Sequence, residues 1–150
     1  MNIRSRAERI LSRIFTNNKC GDDMEKIKKD AVFFIVGGIG YGIIEILFRG
    51  HTHPTMIIAG GICFIIFSRV AEKFKEKPLV YKAVLCSLGV TAVELAFGIV
   101  FNMIFKMNVW DYSKLPFNFL GQICLLFTFL WGVLGFAFVP LAEMLNEKMN

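Results

Sequence analysis

Four long apolar runs decide what this chain can become. They cover Ala31–Phe48, Pro54–Phe67, Lys82–Phe105 and Phe119–Ala142. A helix rises about 1.5 Å per residue and the hydrocarbon core of a bilayer is ~30 Å thick, so about 20 apolar residues cross it. The second run reaches that length only if its helix continues past Ser68 to Glu72. Of the chain's 150 residues, 55% are hydrophobic, more apolar surface than a soluble domain of this length can hide. The expected fold is an all-α membrane protein. Four transmembrane helices form two helical hairpins, preceded by a short basic amphipathic helix. Residues 1–30 then make a cytoplasmic basic N-terminal segment, 31–143 the four-span membrane domain and 144–150 a short cytoplasmic tail.

The net charge of +5 is unevenly placed. Arg4, Arg6, Arg9, Arg13, Lys19, Lys26, Lys28 and Lys29 precede the first span, and Arg69, Lys73, Lys75, Lys77 and Lys82 flank the second link. The other two links hold only Arg49, Lys106 and Lys114. Positive residues stay on the cytoplasmic side, so both termini are expected there, as an even number of spans requires. This basic excess suits anionic headgroups of the lipid bilayer. Nucleic acid is not an expected partner, because no compact soluble fold presents the charges. No glycine-rich phosphate loop is present, no cofactor is expected, and no nucleophile–base spacing suggests an enzyme. Cys20, Cys63, Cys86 and Cys124 form no C-x-x-C pair, and His51-x-His53 is two ligands short of a metal site.

Within the N-terminal segment Ile3, Ile10 and Ile14 share one helical face amid arginines. That pattern fits either a helix lying on the inner leaflet or a solvated arm. Asn17 to Asp23 reads as a polar turn. Span one carries Gly38-x-x-x-Gly42, which lets another helix approach closely. Span three is the most patterned. Ser87, Thr91, Glu94, Gly98 and Asn102 recur at steps of four, three, four and four, forming one small-and-polar stripe that must face protein or water. The third link runs Val109 to Asn118. Trp110 and Tyr112 suit the interfacial aromatic belt, and Asn118 is expected to cap span four. Gln122 follows in the first turn of that span, whose own stripe is Gly121, Cys124, Thr128, Gly132 and Gly135. Trp131 is expected to pack on a glycine face.

Two glutamates lie inside these runs, where an ionisable group costs roughly +2.5 kcal/mol or more at mid-depth. Each follows a glycine by five residues, Gly40 before Glu45 and Gly89 before Glu94, an echo consistent with two parallel hairpins. Glu45 precedes Arg49 by about 6 Å of helix and can pair with it; Glu94 precedes Lys106 by about 18 Å and is expected deeper. Glu45 therefore reads either as an interfacial ion pair or as part of a polar interior. Glu94 reads either as a protonated acid in the helix packing or as a functional group.

Six segments occur together in order: Gly42-Ile-Ile-Glu45, Ala92-Val-Glu94, Trp110-Asp-Tyr-Ser113, Pro116-Phe-Asn118, Gly121-Gln-Ile-Cys124 and Leu130-Trp-Gly132. Over roughly residues 31 to 140 the chain resembles the ABC-transporter type IV family, the CmpB-like membrane proteins of bacteria. The resemblance implies a multi-pass permease subunit of the bacterial cell membrane that works as a homo-oligomer or with a partner membrane or ATPase subunit. It also implies a longer stretch than Gly50–Thr55 between the first two spans, and an arginine where this chain has Gln122. On this reading Glu45, Glu94, Thr91, Asn102 and Gln122 are candidates to line a polar path, and Trp110, Asp111, Tyr112 and Asn118 form the loop motif. The alternative is a non-transport regulator or assembly protein that binds a partner helix or a lipid.

Overall fold

A computed structural model of the chain describes the backbone of residues 3–149 and the side chains of residues 21–149. The chain divides into two compact units, Met1–Val32 and Phe33–Asn150. The elements are α1 (Ile3–Arg49), α2 (Pro54–Lys73), α3 (Leu79–Phe97) with a π-helical continuation (Gly98–Ile104), β1 (Asn118–Phe119), β2 (Ile123–Cys124) and α4 (Leu125–Met149).

Helix α1 runs unbroken through the polar turn expected at Asn17–Asp23. Asn, Asp and Gly each cost a helix only about 0.5–1 kcal/mol, and no proline is present to remove a hydrogen bond. The amphipathic face expected at Ile3–Phe15, and Cys20, fall on side chains outside the described residues. The helix stops at Gly50, whose φ of +73° most side chains resist. His53 then caps α2, its Nδ1 accepting from the Thr55 backbone N–H at 3.3 Å, and Pro54 fills the first helical position. From that start α2 reaches Lys73, so the short second run becomes a helix of spanning length. Pro78 opens α3.

Among the described residues, four helices are long and apolar enough to cross a membrane: Gly21–Arg49, Pro54–Lys73, Leu79–Ile104 and Leu125–Met149. Their outer faces carry Ile39, Ile43, Leu88 and Phe129, all exposed. Lipid accepts such faces, whereas water would drive them to aggregate.

Within the second unit the α1 segment from Phe33 onward packs on α2 through glycines. A Cβ at Gly37 would overlap the Gly60 carbonyl and Phe64, one at Gly38 the Ile57 carbonyl, and one at Gly60 the Tyr41 side chain. Helix α3 packs on both α2 and α4. Phe33, Phe64, Phe67, Cys86 and Val139 fill the core between them.

Helix α4 begins at Leu125, six residues later than the apolar run suggests. Residues 118–124 instead form a minimal hairpin in which Asn118 opposes Cys124 and Phe119 opposes Ile123. Asn118 therefore does not cap α4. Its amide donates to the Ser113 and Leu115 carbonyls at 3.2 and 2.7 Å, and its oxygen accepts from the Gly121 N–H at 3.1 Å. The loop's own unpaired backbone groups compete for this side chain and are closer than the helix end.

At the end of the unit remote from this loop, two polar contacts join helices. Ser68 Oγ donates to Asn146 Oδ1 at 2.8 Å, and Asn146 Nδ2 donates to the Ser68 carbonyl at 3.2 Å. Lys82 of α3 pairs with Glu143 of α4. Helix α4 carries Asn146 because it continues through 144–149, the stretch expected as a short tail.

Candidate functional site

The loop between α3 and α4 is built around Asn102, which lies in the π-helical turn. Its Nδ2 donates to the Trp110 carbonyl and to Gln122 Oε1, both at 2.9 Å, while its Oδ1 accepts from the Val109 N–H at 2.7 Å. Trp110 Nε1 donates to the Gln122 carbonyl at 2.9 Å. Trp110 is only 6% exposed, so it faces this network and not the interfacial belt the sequence suggested. Tyr112 stacks on Phe127 with ring centroids 4.6 Å apart. Gln122 lies in the hairpin turn, not in the first turn of α4, and its side chain covers Gly98 so closely that a Cβ there would overlap it. Exposed Asp111 accepts from the Ser113 N–H at 2.8 Å and the Ser113 hydroxyl at 3.0 Å; these bonds hold its carboxyl below its ordinary pKa.

Glu45 belongs to this end of the protein. Arg49 Nη1 donates to its Oε1 at 3.0 Å and Thr52 Oγ1 to its Oε2 at 2.7 Å. Arg49 Nη2 reaches the Val109 carbonyl at 2.8 Å. Both oxygens of this buried acid are thus satisfied, and the pair ties the end of α1 to the loop.

The stripe on α3 is a helix-packing face. Ser87 Oγ donates to the Thr128 carbonyl, and the Thr91 and Thr128 hydroxyls are 3.0 Å apart. Gly132 leaves room for Ser87 and Gly135 for Ala83. Small residues on both helices allow this approach. The two glycines of the Gly-x4-Glu echo differ in setting. Gly89 faces Ile66, whereas nothing lies within 4 Å of a Cβ built at Gly40.

Glu94 is the exception on the stripe. It is 4% exposed, and among the described residues neither carboxylate oxygen has a hydrogen-bond partner. Trp131 Nε1 is also buried and unpartnered. The indole lies near enough to act on Glu94 but falls short of hydrogen-bond geometry. Trp131 stacks on Tyr41 at 5.6 Å rather than on a glycine face. Tyr41 and Cys63 also lie within electrostatic reach of Glu94. A cavity of about 120 Å³ adjoins this group, walled by Gly40, Tyr41, Cys63, Phe64, Val90 and Trp131 among others. The structure therefore separates the candidates. Glu45, Asn102 and Gln122 join one network with the loop, Thr91 serves the α3–α4 contact, and Glu94 stands apart from both. The sequence reading missed Tyr41 and Trp131 as neighbours of Glu94. Their stacking pairs α1 with α4, and no spacing within either helix reports it.

Four apolar helices of spanning length among the described residues, with lipid-compatible outer faces, define a multi-pass membrane protein. Its residues 31–150 match the family described as Putative ABC-transporter type IV, and the chain belongs to that family. No curated protein and no solved structure matches the chain.

Proposed function

We propose that the protein is a non-enzymatic, transport-linked membrane subunit in which Glu94 handles a proton or another cation. The observation that carries this is the Glu94 carboxylate, buried among membrane-spanning helices with both oxygens unpartnered. Such a group is costly to keep unless its charge is used. Both termini lie in the cytoplasm of a bacterium, by the distribution of basic residues. Helices α1–α2 and α3–α4 act as two hairpins. Four spans are few for alternating access, so the working unit is a homo-oligomer or a complex with an ATPase subunit docked at the basic stretch Arg69–Lys82.

Proteoliposomes under an imposed pH gradient test this reading. Wild-type protein carries dye-reported flux, and Glu94→Gln, whose amide cannot take up or release the proton, reduces it by about tenfold or more, within the range a lost proton-transfer group costs. Equal flux in a well-folded Glu94→Gln variant overturns it. One observation favours a second reading, a regulator that binds a partner helix or lipid: α4 already covers the polar stripe of α3. On that reading Glu94→Gln breaks a complex and flux is absent from wild type as well.

A further inference from the structure

The hairpin that precedes α4 lies below the end of the α3 span. Thr128 meets Thr91, Gly132 meets Ser87 and Gly135 meets Ala83, so the two helices run antiparallel. Leu125, at the start of α4, is then about level with Glu94, well short of the span's end at Ile104. The interval from 94 to 104 is up to about 15 Å of helix. The Leu125 N–H donates to the Phe117 carbonyl at 3.2 Å, which sets Phe117 at the same level. Nearer the end of the span, Gln122 covers Gly98 and accepts from Asn102. The hairpin thus stands beside the last turns of α3, where a longer α4 would have stood.

Its surface is apolar. Phe117 is 82% exposed, Phe119 and Leu120 are exposed as well, and the exposed Leu125, Leu126 and Phe129 of α4 continue the patch. Phe117 and Leu120 both have φ of +54°, which bulky side chains resist. The backbone is therefore strained where it displays apolar groups. Its polar groups are occupied from within. The carbonyls of Leu115, Phe117, Phe119, Leu120 and Gly121 each accept a hydrogen bond. Asn118 uses its amide hydrogens and its oxygen inside the loop. Water would not require this economy, whereas hydrocarbon does. The exposed Lys114 of the same loop has a stem long enough to carry its charge to the headgroups.

We propose that the α3–α4 link re-enters the bilayer and that Phe117, Phe119 and Leu120 bind lipid acyl chains. The lipid leaflet is the partner because the patch continues the lipid-facing side of α4.

Nitroxide labels on the full chain in lipid nanodiscs test this, in a Cys20→Ser background whose Cys63, Cys86 and Cys124 are buried. The labelled background is the blank. Phe117→Cys, Phe119→Cys and Leu120→Cys are read against Phe129→Cys as the lipid reference and Glu76→Cys, in the exposed α2–α3 link, as the water reference. Collisions with oxygen, which concentrates in lipid, exceed collisions with a water-soluble nickel chelate at all three sites, as at Phe129→Cys. Nickel-dominated collisions, as at Glu76→Cys, overturn the proposal and place the hairpin in water. Low access to both reagents also overturns it and assigns the patch to a second copy or another protein. If Phe117→Cys does not fold, Leu120→Cys decides by the same ratio.

Discussion

Two carboxylates of one residue type, both inside apolar runs, have opposite settings. Glu45 has Arg49 and Thr52 on its oxygens, and Glu94 has no hydrogen-bond partner among the described residues. The i+4 spacing made the first of these visible, since Arg49 follows Glu45 on the same helix face. The isolation of Glu94 was not visible, because it depends on what α1, α2 and α4 fail to offer. Asn102 is the other residue on which much rests, with three hydrogen bonds that hold Val109, Trp110 and Gln122. Asn102→Leu leaves buried loop groups unsatisfied and is expected to cost about 1–3 kcal/mol, read as a lower thermal midpoint in detergent. Limited proteolysis should then cut between Met107 and Leu120 in the variant and spare the wild type.

At the scale of elements, glycine placement separates contact from open space. Gly37 and Gly40 stand one turn apart on α1, yet a Cβ at Gly37 would strike Phe64 and the Gly60 carbonyl, while one at Gly40 meets nothing within 4 Å. Gly37→Ala is expected to destabilise by about 1–3 kcal/mol, as overpacking does. Gly40→Ala is expected to stabilise by roughly 0.4–1 kcal/mol, because alanine has less freedom to lose on folding. Parallel thermal melts check the pair, and equal shifts would contradict the α1–α2 contact described. The spans themselves were legible from apolar run length, including the condition on which α2 reached membrane length. The start of α4 was not, because Phe119–Cys124 is as apolar as a helix. Pairing with Asn118 and Phe119, set by the loop network, draws β2 out of it.

Across the whole second unit, polar networks gather at two ends, and between them apolar packing is joined by the Ser87 and Thr91 contacts with Thr128. One end holds Glu45, Arg49, Asn102 and Gln122; the other holds Ser68 with Asn146 and Lys82 with Glu143. The ends share no partner, so their contributions should add. Asn146→Leu is expected to lose about 1 kcal/mol, in line with interhelical hydrogen bonds in membranes. Combined with Asn102→Leu, the loss should equal the sum within about 0.5 kcal/mol, measured by unfolding in mixed micelles. A larger coupling would mean that the ends communicate through the apolar middle. By itself the sequence determined that the chain is a four-helix membrane protein, since hydrocarbon thickness converts apolar run length directly into spans. It also determined that the stripe on α3 turns away from lipid, because small and polar residues recur there at the period of a helix. Only the tertiary structure decided that Glu45 is partnered and Glu94 is not, and that Tyr41 and Trp131 meet beside a cavity. Those facts depend on which helices surround a side chain, and helix periodicity carries no record of neighbours on other helices.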